Sequence, residues 1–215
     1  METRLESYPV QLSVDYPEVP RRRLTVLFRL VLAIPILIVL SALANELFIS
    51  LGGGDSADTA RFTVGAGGVL FLPTLLMLVF RRKYPGWWFD WNVNLLRFEN
   101  RILAYLLLLR DEYPSTDAEQ SVHVVLPEPD GGGSLNRWMP LVKWLLVIPH
   151  LIVLVILTVV AVVLTLIAWV AIVITGRHPR GIYDFVVGTL RWWLRVEAYG
   201  FVLVTDRYPP FRLAP

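Results

Sequence analysis

One stretch limits what this chain can fold into more than any other. Residues 141–175 contain no charged or helix-breaking residue except Lys143 and the pair Pro149 and His150. An α-helix rises 1.5 Å per residue, so about 20 residues cross the ~30 Å hydrocarbon core of a bilayer. The run is therefore long enough for one over-long crossing or for two short ones. Residues 24–49 and 62–80 form two further apolar runs of crossing length. Composition points the same way, because 55% of the 215 residues are hydrophobic and mean hydropathy is +0.57, above the apolar share of a soluble domain. The sequence predicts a mainly α-helical membrane protein.

Charge placement predicts the orientation. Arg21, Arg22 and Arg23 precede the first run, with Arg29 close enough to snorkel, and Arg81, Arg82 and Lys83 close the second. The positive-inside rule then puts both ends in the cytoplasm, with the glycine-rich residues 51–61 as an outside loop. The first twenty residues carry four acids and no apolar core of a signal peptide, so the amino terminus is expected to stay cytoplasmic. Of 20 basic residues, 18 are arginine and only Lys83 and Lys143 are lysine; they gather at the ends of apolar runs. That placement suits lipid headgroups and argues against nucleic acid, which needs a continuous basic face. There is no cysteine, hence no disulfide and no thiolate chemistry.

Residues 85–105, PGWWFDWNVNLLRFENRILAY, return ninety-four positions later as residues 179–199, PRGIYDFVVGTLRWWLRVEAY. Eight of the 21 positions are identical, including Asp90 and Asp184, Arg97 and Arg191, Arg101 and Arg195, and Tyr105 and Tyr199. With one residue inserted in the second copy, both continue to an acid and a Tyr-Pro: Asp111, Tyr113 and Pro114 against Asp206, Tyr208 and Pro209. Pro35 and Pro149 match within LVLAIPILIVL and WLLVIPHLIVL. Each half also opens on period-2 alternation, Val10, Leu12 and Val14 in one and Val122, Val124 and Leu126 in the other, which predicts a short strand. The chain is thus expected to be two tandem copies, residues 1–116 and 117–215.

On a helical wheel Asp90, Asn94, Arg97 and Arg101 share a stripe, with apolar residues opposite and Asn92 and Glu99 as exceptions. Both repeated stretches therefore predict amphipathic helices, near 86–105 and 180–199. Trp87, Trp88 and Trp91, and Trp192 and Trp193, place them at the headgroup level. The tails 105–109 and 199–204 are compatible with helix or strand. Both stretches follow a basic step, so both are expected inside. Residues 141–175 would then form a membrane hairpin turning near Thr158, making four embedded helices. Hydropathy alone supports one long helix instead.

The strings IPHLIVL, TGRHPRGIYDFVVGTLRWWLRVEAY and TDRYPPFRL resemble an uncharacterised family of small bacterial membrane proteins known only as a domain of unknown function. The resemblance covers residues 141–213, and the first half looks like a diverged copy. The resemblance implies a membrane protein in two tandem copies, and no catalytic residue; a multi-pass chain in the bacterial cytoplasmic (inner) membrane is expected.

The candidate contact residues are Asp90, Arg97 and Arg101 with Asp184, Arg191 and Arg195, since one spacing occurs twice. Two arginines a turn apart can grip a phosphate. The same set could instead be a structural ion-pair stripe docking each helix to the other copy or to loops. His150 is an intramembrane polar group, expected to be neutral and to cap a carbonyl freed by Pro149. His123, His150 and His178 lie in separate segments, so no metal spacing exists, and the glycines at 52–54 and 131–133 lack a phosphate loop's Lys-Ser/Thr and are expected to be linkers. No catalytic set, metal or cofactor is predicted. The predicted function is a non-enzymatic integral membrane scaffold or accessory subunit, with the lipid bilayer and other membrane subunits or a second copy as partners. The alternative is a small transporter or anionic-lipid-handling protein using the arginine stripes.

Overall fold

A computed structural model describes residues 8–18, 21, 23–43, 47–49, 62–64, 72–116 and 118–215. The elements run β1 (Gln11–Val14), α1 (Arg23–Leu27), α2 (Arg29–Leu43), β2 (Leu47–Ile49), β3 (Phe62–Val64), α3 (Leu72–Arg81), α4 (Gly86–Leu106), β4 (Val122–Val125), α5 (Met139–Thr175) and α6 (Arg180–Gly200). The described chain is mostly helical. The expected residues 51–61 loop, Arg22, Glu46, Gly65, Gly67 and Gly68 lie outside the described residues.

The two alternating stretches do form strands, and they pair with each other. β1 and β4 are antiparallel, with Leu12 opposite Val124 and Val14 opposite Val122. Leu12, Val122 and Val124 turn inward beside Val10, while Gln11, Ser13, His123 and Val125 face out. This small sheet lies on α4 and α6 and closes the main core.

The repeated stretches are both 21-residue helices, entered from an extended proline, Pro85 or Pro179, whose fixed φ suits a helix start. They also end alike. Leu108 and Leu203 each take φ 61°, and the next N–H returns to the matched alanine, Leu109 to the Ala104 carbonyl at 2.8 Å and Val204 to the Ala198 carbonyl at 3.1 Å. The tails are thus turns, not strands. α6 is a core helix, not one lying on a membrane surface: its apolar side packs against α5 and the main core, and its arginine side against β1 and the carboxyl-terminal segment.

The expected hairpin is replaced by one helix. α5 runs unbroken for 37 residues, and at Thr158 the hydroxyl donates to the Leu154 carbonyl at 2.7 Å, one turn back in a continuous helix. Nothing between Pro149 and Thr175 can end a helix; Gly176, at φ 74°, does. The buried positions Lys143, Val147, His150, Leu154, Ala161, Thr165, Ala168 and Ile172 step by three or four residues, with one step of seven between Leu154 and Ala161, and make one seam. Leu146, Leu151, Val153, Leu157 and Val173 flank that seam half-buried, and much of the remaining surface is exposed and apolar, from Leu141 to Ile174.

α5 is the one helix among the described residues long and apolar enough to cross a membrane. The crossing expected over residues 24–49 is α1 and α2, the latter only 15 residues, followed by β2. That over 62–80 contains β3 and the ten-residue α3, whose second half, Met77–Arg81, is a π turn. Hydropathy cannot separate an apolar strand from an apolar helix, and β2 pairs with β3 where continuous helices were expected. The glycines at 131–133 are not a loose linker either. Gly132 has φ 96°, and a Cβ there would meet the Tyr84 nitrogen at 2.9 Å, so only glycine lets the two backbones touch.

Candidate functional site: a carboxylate pair in an apolar cavity

The stripe arginines bond backbone carbonyls of neighbouring segments, with Arg195 buried, Arg101 and Arg191 half-buried and Arg97 exposed. Arg97 Nε donates to the Val124 carbonyl at 3.5 Å and Arg191 Nε to the Leu12 carbonyl at 3.0 Å, so matched arginines reach two residues paired across the sheet. Arg101 donates to the Ser115 carbonyl at 2.7 Å. Arg195 is buried and donates to the carbonyls of Arg212 at 3.2 Å and Ala214 at 2.9 Å. Burial, then the charges of Arg191 and Arg212, pull its pKa down to about 10, which leaves it protonated at neutral pH. Asp90 and Asp184 are exposed, and no salt bridge among the described residues joins Asp184 to Arg191 or Arg195.

Two further cations hold the helices to the segments that follow α4 and α6. Lys143, fully buried, lies 2.7 Å from the Asp206 carboxylate, donates to the Thr205 carbonyl at 2.7 Å and stands 4.9 Å from the Tyr199 ring centre. Arg29 pairs with Asp111, donates to the Arg110 carbonyl at 2.8 Å and stands 4.3 Å from the Tyr105 ring centre. Arg21 joins the same carboxylate at 2.8 Å. A buried charge is tolerable only with such partners.

His150 does not cap a backbone carbonyl. Its Nδ1 accepts the Trp192 Nε1 proton at 3.0 Å, and its ring stacks on Phe211 with centres 3.9 Å apart. An accepting Nδ1 leaves the ring proton of a neutral imidazole on Nε2. α6 offered an indole within reach, and the aromatic carboxyl-terminal segment covers the ring.

Between α4, α5 and α6 lies a cavity of ≈ 490 Å³. Its walls are apolar, from Leu103, Ala161, Val186, Trp193 and Phe201 among others, except for Glu99 on α4, Glu197 on α6 and two threonines. The threonine hydroxyls are engaged: Thr158 bonds Leu154 and accepts from Trp193 Nε1 at 2.8 Å, and Thr189 donates to the Phe185 carbonyl at 3.0 Å. Among the described residues no lysine, arginine or histidine lines the cavity. Burial raises the Glu197 pKa well above the ordinary carboxylate value, and the charge of Glu99 raises it further; burial raises Glu99 too. The pair can hold protons or accept a cation.

The domain of unknown function (DUF4389) matches residues 137–212. The match occurs once and spans α5, α6 and most of the segment after them, about a third of the chain. Neither a curated protein nor a solved structure is found to match the chain. Lys143, His150, Glu197 and Asp206 all fall within the DUF4389 segment, whereas Glu99 does not. The cavity is therefore built jointly by that segment and α4 outside it.

Neither glutamate was among the candidate residues read from the sequence. Glu99 was an acid on an otherwise apolar helix face, a pattern that marks a group bound for a special environment. Glu197 carried the same signal in the DUF4389 segment, but its matched position in α4 is Leu103, so the repeat pattern did not single it out.

Proposed function

We propose that this chain is a non-catalytic integral membrane protein, a scaffold or accessory subunit that binds another membrane subunit or a second copy of itself. The observation that carries this reading is the length of the uncovered apolar surface on α5. Its 37 residues extend ~55 Å, against ~30 Å of hydrocarbon. Fitting all of it into one bilayer would need a tilt near 57°, beyond the ~40° upper end for membrane helices. Lipid covers only part of that face, and a protein partner is the natural cover for the rest.

The tandem reading belongs to the same proposal. Two copies, residues 1–116 and 117–215, account for Arg29 with Tyr105 and Asp111 against Lys143 with Tyr199 and Asp206, and for Arg97 and Arg191 on opposed carbonyls. A bacterial cytoplasmic membrane, a multi-pass path with further short membrane-embedded helices, and a cytoplasmic amino terminus complete it. Trp87 and Trp91, exposed at the start of α4, suit a headgroup boundary.

Purification of the full chain in mild detergent followed by native mass spectrometry tests the proposal. A stoichiometric partner or a second copy is expected, and a chain that is always a lone monomer would refute it. The lipid-handling alternative rests mainly on Arg97, the one exposed arginine of the four.

A further inference from the structure

We propose that the cavity between α4, α5 and α6 binds an organic cation with an apolar body, its charged end held by Glu99 and Glu197. Four observations converge on that class of ligand. The first is electrostatic: two half-buried carboxylates face one largely apolar cavity, and no basic side chain among the described residues lines it, so an incoming cation would find two negative groups and no competing protein partner there. Neither glutamate side chain has a hydrogen-bond partner among the described residues.

The second is the lining. A hard metal ion takes six or more oxygens, and two carboxylates among leucine, valine, tryptophan and phenylalanine cannot supply them. An alkyl or aryl group gains from the same walls. The third is size, because ≈ 490 Å³ falls within the range of small-molecule sites. The fourth is access. Val162 lines the cavity and is 47% exposed, and its α5 neighbours Val159 and Leu166 are exposed apolar residues, so the cavity is reached alongside the apolar surface of that helix. An amphiphile dissolved in lipid can enter there. A phospholipid headgroup fits badly, since its phosphate would meet two carboxylates and no cation. A simple amine amphiphile is the ligand that satisfies both ends.

The titratable groups facing the ligand are Glu99 from α4 and Glu197 from α6; α5 contributes only Thr158 and apolar residues. Binding of a permanently protonated amine therefore strengthens as pH rises and the pair ionises.

The test is equilibrium dialysis of the full chain in an uncharged detergent against radiolabelled decylamine, with decanol and decanoate as competitors. One saturable site is expected, tighter at pH 8 than at pH 5, weakened at least tenfold in E99Q/E197Q and indifferent to decanol and decanoate. The glutamines copy the protonated acids, and circular dichroism reports whether the fold is kept. V162W, which narrows the mouth and leaves both carboxylates in place, is expected to weaken binding as well. If the paired variant fails to fold, E197Q alone with V162W decides the matter. No saturable binding, equal binding in the glutamine variants, or equal competition by decanol would each overturn the proposal. The first of these would leave the pair as a store of protons only. None of these outcomes bears on the native mass, so this inference and the accessory-subunit reading stand or fall separately.

Discussion

Removing the Asp206 carboxylate should damage the fold far more than removing the lysine it faces. Lys143 is fully buried, and with Asp206 gone its ammonium keeps only the Thr205 carbonyl and the Tyr199 ring. Leaving a buried charge without its partner costs ~3–5 kcal/mol. D206A also deletes the acceptor of the Asn136 N–H, bonded at 2.6 Å, which adds ~1 kcal/mol. In K143M the stranded group is Asp206, whose side chain is 25% exposed and whose Oδ2 keeps the Asn136 N–H, so the loss is only ~1–2 kcal/mol. For a domain of this size each kcal/mol moves Tm by ~2–4 °C, so D206A should fall by roughly 8–24 °C and K143M by roughly 2–8 °C. The double variant should be more stable than D206A alone, since it removes the orphaned charge. Thermal unfolding in detergent micelles, followed by tryptophan fluorescence, gives all three values. A K143M loss equal to that of D206A, or a double variant at the simple sum of the singles, would refute the reasoning.

D111A should be costlier still, because Asp111 holds both Arg21 and Arg29; a drop no larger than that of K143M in the same melt would count against this bridge. Gly200 abuts α5 so closely that a Cβ would lie 2.7 Å from Val147 Cγ2, so G200A should cost ~1–3 kcal/mol and V147A should restore part of it; additive losses would disprove the contact. Glu197 has a raised pKa when folded, so its contribution to stability is fully present below the unfolded carboxyl value of ~4.3 and is lost as pH rises through the folded one. E197Q should therefore raise Tm at pH 8 and leave it nearly unchanged at pH 4, and a gain at pH 4 equal to that at pH 8 would contradict the sign. Because the chain has no native cysteine, single cysteines at Ser134 and Asp184 report the two ends of α5. An impermeant thiol reagent on intact cells should reach only one of them, and labelling of both would exclude a single crossing.

Much of the local structure was legible in the residues. Pro85 and Pro179 set the starts of α4 and α6, and the period-2 alternation placed β1 and β4, because backbone restriction and side-chain alternation act over a few neighbours. The apolar run of α5 was equally plain, and so were Arg97 and Arg191 as matched residues. Its path was not. An unbroken hydrophobic stretch has the same hydropathy as one helix or as two, and the expectation that both repeated stretches lie inside favoured the hairpin that the continuous helix replaced.

The sequence by itself determined β1, β4, the starts of α4 and α6 and the presence of more apolar surface than a soluble core requires, because these follow from periodicity, proline and composition, but not β2 and β3, whose residues lie in apolar runs that suit helix or strand alike. Only the tertiary structure decided that β1 and β4 pair with each other, that Lys143 meets Asp206 sixty-three positions away, and that Glu99 and Glu197 open onto one cavity. Each of these joins residues whose sequence neighbours say nothing about the other partner. They meet because three helices must bury their apolar faces together, and the packing that does so carries the few charged side chains wherever those faces lead.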